Sequence, residues 1–372
     1  MRIGIILTGD NTWAGGLYYS LNIIKLLSEI SLTKKITVVV FVNNSASKDL
    51  LQEIALTNVE LVNFDNKGFF YRVYCKLMGI LTNSNYRFVQ DINSEKLDLL
   101  YPLIHYEKGH ENLNCRAIYW LYDFQHKFLP ELFSLEEIIK RDTNFKEITE
   151  KAKTIVLSSK DSKNHLLQFY PICKARLFVY NFVSLIENKN TKSPIGFPTD
   201  YLVVCNQFWP HKNHMVVLKG VELLVKANKS IHVVFTGKYD DERNKDYVTK
   251  LQSFIKEKNI EGYITFTGFI AREDQVSIIA NAKAVIQPSL FEGWSTVIED
   301  AKALNKFLIV STISIHREQI AENVKFFDPQ DKVTLSEHMH QVMNKPLEKF
   351  EGNYNSNIEH SKKDLLTLFQ IN

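Results

Sequence analysis

The sequence predicts an α/β protein made of two consecutive units, each with a parallel β-sheet. The chain has 372 residues, of which 45% are apolar, enough for two hydrophobic cores. Short runs of β-branched residues alternate with longer amphipathic segments, the pattern of βαβ units. A polar segment with two prolines separates two such series between residues 186 and 199.

The first series of apolar runs and helical patterns gives the first unit. Its predicted strands are Ile3–Leu7, Ile36–Val42, Val59–Val62, Ala117–Leu121 and Thr154–Leu157. Amphipathic segments lie between them, and Leu17, Leu21, Ile24 and Leu27 share one helical face. Parallel strands joined by helices are therefore expected.

The second series repeats this pattern after the polar segment. Its predicted strands are Tyr201–Cys205, His232–Thr236, Ile264–Thr267, Ala284–Gln287 and Phe307–Val310. A short terminal helix is predicted at Ser356–Phe369. We place two Rossmann-like domains at 1–185 and 201–350, a linker at 186–200, and a helical segment at 351–372 that could pack back on the first domain. The domains are expected to face a central cleft and to bind ligands beyond the carboxyl ends of their strands.

Composition excludes several classes of protein. The chain carries 45 basic and 42 acidic residues, so no strong positive field is available for nucleic acid. Four cysteines without a C-x-x-C pair argue against a disulfide framework or zinc and for a reducing compartment. No signal peptide or membrane-spanning stretch is evident. We expect a cytoplasmic protein that could touch the inner face of the membrane.

One segment of the second unit combines a buried strand, a loop and a helix start. The strand Ala284–Gln287 leads into the loop PSLFEGW, which carries Glu292, and a helix opens near Ser295 and Thr296. Free backbone N–H groups in the first turn of a helix attract an anionic phosphate. A carboxylate beside them can accept hydrogen bonds from sugar hydroxyls. The segment is therefore typical of a site for a phosphorylated sugar.

This segment resembles the E-x7-E signature of retaining GT-B glycosyltransferases, most closely those of glycosyltransferase family 4. The approach strand, the PSLFEGW loop and the helix EDAKAL all match. The resemblance implies that Glu292 contacts the donor sugar's hydroxyls at the reacting centre. It also implies that Gly293, Trp294, Ser295 and Thr296 line the donor site.

The second acid of the signature, which binds the nucleotide ribose in that family, does not map onto one residue. Asp300 keeps the ungapped spacing from Glu292, and Glu299 lies one residue short of it. We favour Glu299 slightly for its longer reach. The structural alternative is a capping box, Thr296-x-x-Glu299, in which the carboxylate only returns to the amide of the N-cap residue.

A second cluster, NQFWPHKNH, follows the first strand of the second unit. The family has the pattern G-R-L-x-x-x-K-G/N at this place, and its Arg and Lys neutralise the departing diphosphate. Lys212 matches the lysine, whereas Gln207 replaces the arginine, so His211 or Lys238 could supply another donor. A fixed ammonium stabilises the charge that develops as the glycosidic bond breaks. The alternative for Lys212 is an ordinary exposed lysine at a helix start, where the helix dipole does not favour a cation.

Glycines follow the first strand of the first unit in the segment GDNTWAGG. Gly15 and Gly16 resemble the family's N-terminal glycine loop, which closes over the donor diphosphate and borders the acceptor. We place Trp13 on the acceptor side. The segment is not G-x-G-x-x-G and lacks the acidic residue that would complete a dinucleotide fingerprint, so a dehydrogenase is poorly supported.

The strand end WLYDFQHKFLPE supplies two further candidates. Many family members have His-Asp here, followed by Pro seven residues after the Asp. Asp123 and Pro130 keep that spacing, but Tyr122 occupies the His position. His126 lies on the same loop and could take over the contact with the sugar or acceptor. A surface or satisfied core histidine is the structural alternative.

Two remaining features have ordinary alternatives. Gly268 and Ile270 follow a strand whose counterpart holds the nucleobase in the family, and Lys238 ends the preceding strand; all could equally belong to routine turns. The segment Lys67–Met78 mixes aromatic and basic residues at helical spacing. It could rest on an anionic bilayer, although a helix packed on its own domain with outward lysines is the more frequent arrangement.

The resemblance implies a retaining hexosyltransferase-type enzyme that needs no metal and no other cofactor. It would move a sugar from a UDP-, GDP- or dTDP-linked donor to a hydroxyl of a glycan or lipid-linked acceptor, in bacterial cell-surface polysaccharide synthesis. Two alternatives stay open. A GT-B-fold sugar-nucleotide epimerase would convert the donor without an acceptor. A catalytically degenerate partner subunit is suggested by Gln207 and Tyr122.

Overall fold

The chain forms two compact units. This computed structural model describes residues 1–9, 13–44, 46–186, 196–239, 246–345 and 350–371. The first unit comprises Met1–Phe124, Glu136–Val183 and Ser356–Asn372, and the second comprises Gln125–Leu135 and Ser184–Asn355. Asp10, Asn11 and Thr12 of the glycine segment, and residues 187–195 of the predicted linker, lie outside the described residues.

The first unit is built on a parallel sheet. Its strands are β1 (Arg2–Ile6), β2 (Thr37–Val42), β3 (Glu60–Asn63), β4 (Leu99–Leu103), β5 (Arg116–Leu121), β6 (Thr154–Leu157) and β7 (Arg176–Val179). They lie side by side in the order β3-β2-β1-β4-β5-β6-β7, and neighbouring strands run parallel. The strand order reverses between β1 and β4.

Helices connect these strands. Up to the second sheet they are α1 (Ala14–Ser31), α2 (Lys48–Ala55), α3 (Phe69–Thr82), α4 (Tyr86–Ser94), α5 (Gln125–Phe128), α6 (Leu135–Lys151) and α7 (Lys160–Phe169). The central strands are apolar and fully buried, as parallel strands covered on both faces should be. The short helix α5 lies in the second unit.

The second unit repeats this design. Its strands are β8 (Leu202–Cys205), β9 (Val233–Thr236), β10 (Ile264–Gly268), β11 (Ala284–Gln287), β12 (Phe307–Ser311) and β13 (Val324–Phe327). The remaining helices are α8 (His214–Lys226), α9 (Asp246–Glu257), α10 (Arg272–Asn281), α11 (Thr296–Ala303), α12 (Ser314–Gln319), α13 (Lys332–Asn344) and α14 (Tyr354–Phe369). The sheet order is β10-β9-β8-β11-β12-β13, again parallel, and it reverses between β8 and β11.

Most of helix α14 packs in the first unit. The hydroxyls of Tyr180 and Ser361 are 2.8 Å apart, and Arg116 donates to the backbone oxygen of Phe369 at 2.6 Å. The Phe369 ring packs edge-on against Tyr101. These contacts fix the C-terminal segment against the first sheet.

The predicted fold class, α/β with two Rossmann-like parallel-sheet domains, is confirmed. Every predicted strand forms, but β4, β7 and β13 were not predicted. Pro102 interrupts the strand pattern of β4, because proline cannot donate to a ladder, and its pairing register shifts between Leu100 and Leu103. Strands β7 and β13 are short, half-exposed edge strands with a weak apolar signal.

Candidate active site

The carboxyl ends of β8 and β11 meet where the strand order of the second sheet reverses. Asn206 and Gln287 follow or end these strands and exchange two side-chain hydrogen bonds, of 3.0 and 3.2 Å. Open parallel sheets bind ligands in the crevice outside such strand ends. The pair holds together the two loops that carry Lys212 and Glu292.

Glu292 lies at the centre of a buried polar network. Its Oε1 atom accepts hydrogen bonds from Lys212 Nζ at 2.7 Å, Ser289 Oγ at 2.7 Å and Gln287 Nε2 at 2.8 Å. Among the described residues none donates to Oε2, so this oxygen is the one that can accept a bond from a ligand. The side chains of Glu292 and Lys212 are only 8% and 14% exposed.

The electrostatics of this network keep the carboxylate ionised. Burial raises the pKa of Glu292, but the charge and hydrogen bond of Lys212 outweigh burial, with smaller help from His316 and Ser289. The resulting pKa lies below the ordinary value for a glutamate. At neutral pH the site therefore presents a buried anion beside a buried ammonium group.

Hydrogen bonds from neighbouring residues hold the loop of Lys212 in place. It ends a 3-10 turn, and Asn213 next to it takes the left-handed conformation with φ 56°. The Asn213 amide donates to the backbone oxygens of Pro288 at 3.2 Å and Pro329 at 2.7 Å. Leu290 N–H donates to the oxygen of His211 at 2.7 Å. The loops after β8 and β11 are thus fastened to each other directly.

The carboxylate of Asp300, one of the two ribose candidates, is buried and already hydrogen-bonded through both of its oxygens. It accepts hydrogen bonds from both terminal nitrogens of Arg272 at 2.5 and 2.6 Å, and from Ser184 Oγ at 2.5 Å. Asp300 is 1% exposed. A ribose could reach this carboxylate only by displacing one of these partners.

The Glu299 carboxylate is equally buried and occupied. It accepts hydrogen bonds from Lys302 at 2.8 Å, Gln319 at 2.9 Å and the Tyr354 hydroxyl at 2.7 Å. The capping-box alternative is wrong, because the N-cap of α11 is Ser295 and not Thr296. The N–H group of this N-cap residue donates to Gln319 Oε1 at 3.1 Å, whereas the capping box would require it to donate to Glu299. The assignment of the ribose carboxylate stays a prediction.

The other donor-side candidates lie at the carboxyl ends of β8, β9 and β10. Gln207 Nε2 is buried without a hydrogen-bond partner among the described residues. Phe208 N–H donates to Lys238 O at 3.0 Å, and Gly237 N–H donates to Gly268 O at 2.9 Å. A Cβ on Gly237 would lie 2.1 Å from the Asn206 oxygen, so this close approach requires glycine. Ile270 is half-buried just beyond Gly268.

The acceptor-side candidate Trp13 belongs to an aromatic layer of the first unit, next to the donor-side candidates Gly15 and Gly16. The Trp13 ring, just before α1, lies 4.8 Å from Tyr122 and 5.8 Å from Trp120, measured between centroids. A Cβ on Gly16 would lie 2.9 Å from the Trp13 ring, so glycine lets the indole pack against α1. The structure gives Gly15 no such requirement, since an added Cβ would meet no atom closer than 3.8 Å.

Asp123 and His126 lie in different units. Asp123 follows β5 in the first unit, 3.6 Å from Arg141. His126 is buried in α5, which belongs to the second unit together with the Glu292 loop. In that unit the Phe128 ring of α5 stacks on Phe291 at 5.4 Å. No pattern in the sequence indicated this contact.

Sequence reasoning also missed His316. It is fully buried in α12, and its Nδ1 atom lies 3.0 Å from Ser311 O and 3.1 Å from Ser311 Oγ. Ser311 Oγ in turn donates to Ser289 O at 2.6 Å, which connects His316 to the Glu292 loop. The tripeptide His316-Arg317-Glu318 shows no apolar period or charge pattern that would have predicted a connection to the Glu292 loop.

In the part of the chain that the structure describes, no three His, Cys, Asp or Glu side chains form a group that could hold a metal ion. None of the helices seen there combines the length and the apolar character that crossing a bilayer requires.

The chain has two parallel-sheet Rossmann-like units. GT-B glycosyltransferases of known structure share this architecture. The family model for glycosyl transferases group 1 matches residues 186–361, which contain Lys212, Glu292 and the whole second sheet. The donor-side candidates of the second unit therefore fall inside the segment that the family model matches, whereas Gly15 and Gly16 lie outside it.

Two curated bacterial proteins are similar in sequence. The O-antigen chain mannosyltransferase RfbU of Salmonella typhimurium is 24% identical over 183 residues, covering 47% of this chain and 50% of the relative. O-antigen chain mannosyltransferase B of Escherichia coli is 20% identical over 249 residues, covering 61% of each. The chain thus matches about half to three-fifths of the length of these relatives.

Solved structures match over nearly the whole chain at low identity. The Anabaena protein HepE in complex with UDP and glucose has a TM-score of 0.63 and 15% identity, covering 100% of this chain and 95% of its own. The lipopolysaccharide outer core galactosyltransferase WaaB has a TM-score of 0.61 and 17% identity, covering 100% and 99%. At such identity the likeness establishes the fold alone.

Proposed function

We propose that this protein is a retaining glycosyltransferase that uses a nucleoside-diphosphate sugar and needs no bound metal. The observation that carries the proposal is the buried pair of Lys212 and Glu292 at the strand-order reversal of the second sheet. Glu292 lies just before the first turn of α11, and both residues lie inside the segment that matches the glycosyltransferase family.

In the proposed reaction Lys212 binds the diphosphate. The bond between the sugar's anomeric carbon and the β-phosphate oxygen breaks, and a bond to the acceptor oxygen forms on the same face. The leaving phosphate oxygen takes the acceptor's proton, so charge and atoms balance. The Lys212 ammonium stabilises the growing phosphate charge in a site where burial strengthens electrostatic interactions.

Glu292 orients the donor in this mechanism and does not form a covalent bond. Its Oε2 atom accepts a sugar hydroxyl, and its negative charge stabilises the positive charge that develops on the sugar ring. The low pKa of Glu292, which burial opposes and Lys212 produces, keeps it an acceptor throughout. Gln207 Nε2, buried without a partner among the described residues, supplies a neutral donor to the diphosphate in place of an arginine.

The substrates are proposed at the level of class. Two curated relatives are O-antigen chain mannosyltransferases, and one structural neighbour is bound to UDP and glucose. We therefore place the reaction in bacterial surface-polysaccharide assembly, with a UDP-, GDP- or dTDP-linked donor and a glycan or lipid-linked acceptor. Such donors are made in the cytoplasm, which is where we place the protein.

Thermal melts with UDP, GDP, dTDP and their sugars, without metal, test this function. Saturation at a hundred times the dissociation constant should add about 2.7 kcal/mol to the free energy of unfolding. Lys212→Ala should reduce the shift. Lys258→Ala is the matched control, because Lys258 also forms a 2.7 Å pair with a glutamate, Glu257, but at the surface. No shift with any nucleotide would reject the proposal in favour of a degenerate subunit.

A product assay separates the enzyme from the epimerase alternative. The nucleotide sugar that shifts the melt is incubated with and without glycan or lipid-linked acceptors. Transfer with release of the nucleotide diphosphate supports the glycosyltransferase. Conversion of the donor to its epimer in the absence of acceptor would replace that assignment.

Peripheral membrane contact is proposed on α3 of the first unit. Most of its large apolar side chains are exposed, Phe70 by 87% and Leu81 by 78%. The exposed apolar residues are Phe69, Phe70, Val73, Tyr74, Leu77, Ile80 and Leu81. The helix contains two cations, Arg72 and Lys76, and no acidic residue. An exposed apolar face with cations and no anions complements an anionic bilayer.

Vesicle sedimentation tests this surface. The protein should bind phosphatidylglycerol vesicles more strongly than phosphatidylcholine vesicles, and the double substitution Phe70→Ser and Leu81→Ser should abolish the binding. Leu56→Ser is the control, because Leu56 is 90% exposed elsewhere in the same unit. If the double variant instead abolishes self-association and vesicles never bind, the face is an interface between copies of the chain.

A further inference from the structure

His316 has one nitrogen that no described residue satisfies. The residue is fully buried, and its Nε2 atom has no hydrogen-bond partner in the described part of the chain. Buried polar atoms in folded proteins almost always have a partner, and each exception needs a reason. A hydrogen bond from a bound ligand would satisfy this nitrogen.

The protonation state of this ring follows from its other nitrogen. Nδ1 lies 3.0 Å from Ser311 O, which can only accept, so Nδ1 carries a proton. The Ser311 hydroxyl does not donate its proton to Nδ1, because it donates that proton to Ser289 O. Burial lowers the pKa of His316 to about 4. The ring is therefore neutral at pH 7, and Nε2 presents a lone pair that accepts a hydrogen bond.

The surroundings of His316 are those of the active site. Its ring and the Glu292 carboxylate affect each other's pKa, and the Lys212 charge acts on both. Ser311 and Ser289 connect it to the Glu292 loop through hydrogen bonds of 2.6 and 2.7 Å. A hydrogen-bond acceptor at this place suits a hydroxyl group and disfavours a phosphate oxygen, which also can only accept.

A second buried histidine shows that an unpartnered nitrogen is not enough by itself. His214 Nε2 also lacks a partner within the described residues, and burial lowers the pKa of His214 to about 3. Its ring, however, stacks on Phe208 at 4.5 Å and lies 6.0 Å from the rings of both Phe235 and Tyr247. His214 is thus part of an aromatic core, whereas His316 adjoins the buried ion pair.

We infer that His316 Nε2 accepts a hydrogen bond from one hydroxyl of the transferred sugar, and so helps to select the donor. The inference rests on the proposed function and extends it to a residue outside the family signature. Lys212 and Gln207 then contact the diphosphate, and Glu292 and His316 contact the sugar.

Calorimetry with the nucleotide diphosphate and its sugar conjugate tests the inference, once the melts have identified the donor. His316→Leu should weaken binding of the nucleotide sugar about tenfold, which corresponds to about 1.4 kcal/mol, and leave the affinity for the free nucleotide diphosphate unchanged. His316→Gln, which keeps an acceptor, should recover part of the loss. His214→Leu, the matched control, should leave the ratio of the two affinities unchanged.

A series of monodeoxy donors tests the inference on the unaltered protein, even if His316→Leu folds poorly. One deoxy donor should lose about tenfold in affinity for the wild type, and His316→Gln should discriminate against it less. Equal weakening of nucleotide and nucleotide sugar in His316→Leu, or unchanged deoxy discrimination in His316→Gln, would overturn the inference. If the wild type binds no nucleotide sugar at all, the proposed function fails first and this inference fails with it.

Discussion

The two units use similar sheets but present different chemistry at the ends of their strands. In the second unit the ends of β8 and β11 carry a buried ion pair, Lys212–Glu292, and the amide pair Asn206–Gln287. In the first unit the ends of β1 and β5 are followed by the rings of Trp13 and Tyr122, 4.8 Å apart, and Trp13 also stacks on Trp120 of β5 at 5.8 Å. The second unit thus has a buried ion pair between two strand-end loops, whereas the first unit has adjoining indole and phenol rings, with the Asp123–Arg141 pair nearby.

The two strand-end regions suit two different ligands. A diphosphate that gains charge during bond breaking is stabilised by fixed cations and donors in a buried site. A sugar acceptor is neutral and offers apolar ring faces, which aromatic side chains can contact at little entropic cost. We therefore propose that the second unit performs the chemistry and that Trp13 positions the acceptor.

We expect the charge of Glu292 to be essential for turnover. Glu292→Gln removes the charge that faces the sugar and should lower kcat about 10²- to 10³-fold, the usual cost of losing one electrostatic contact in a transition state. Nucleotide affinity should change much less. Glu222→Gln is the control, since Glu222 also pairs with a lysine at 2.7 Å, on helix α8 away from the strand ends. Unchanged kcat would assign the chemistry elsewhere.

Acid should destabilise the second unit more strongly than the first, in which burial also lowers the pKa of His105, His110 and His165. His214 and His316 have folded pKa values of about 3 and 4, lowered by burial, against about 6.5 unfolded. Between pH 6.5 and 4 the unfolded chain binds these protons and the folded chain does not, so stability is present above pH 6.5 and falls with acid. Glu292, whose folded pKa is lowered, contributes stability that is fully present above its unfolded pKa and is lost only as the pH falls below that value.

From pH 7 to pH 5 the expected loss is on the order of 2 kcal/mol per histidine. Hydrogen exchange at the two pH values, read separately for the strands of each unit, measures it. His214→Leu should reduce the pH dependence of the second unit. Equal loss of protection in both sheets would contradict the assignment of this titration to the second unit.

The smallest expected effect concerns the aromatic layer. Trp13→Ala should raise the acceptor KM about three- to tenfold, the range for one aromatic contact, because an indole face is lost. The donor affinity serves as the internal control and should not change. A change in donor affinity instead of acceptor KM would move Trp13 to the donor side and weaken the contrast between the units.

Local sequence patterns were sufficient to predict most of the strands and to find the two short motifs of the candidate site. The period of apolar residues predicted every strand except β4, β7 and β13, because buried parallel strands give continuous apolar runs and edge or proline-containing strands do not. The strand–loop–helix segment around Glu292 and the turn at Lys212 were found because each motif is contiguous in sequence. Their assigned roles stay predictions.

The fold class and the short motifs could be predicted from the sequence, since both depend on neighbouring residues. Only the tertiary structure decided that Lys212 and Glu292, 80 residues apart, form one ion pair. It also decided that Glu299 and Asp300 are occupied by distant partners, among them Tyr354 and Ser184, and that His316 adjoins the site. The physical reason is that hydrogen-bond satisfaction and burial depend on which chain segments meet, and spacing along one segment does not specify this.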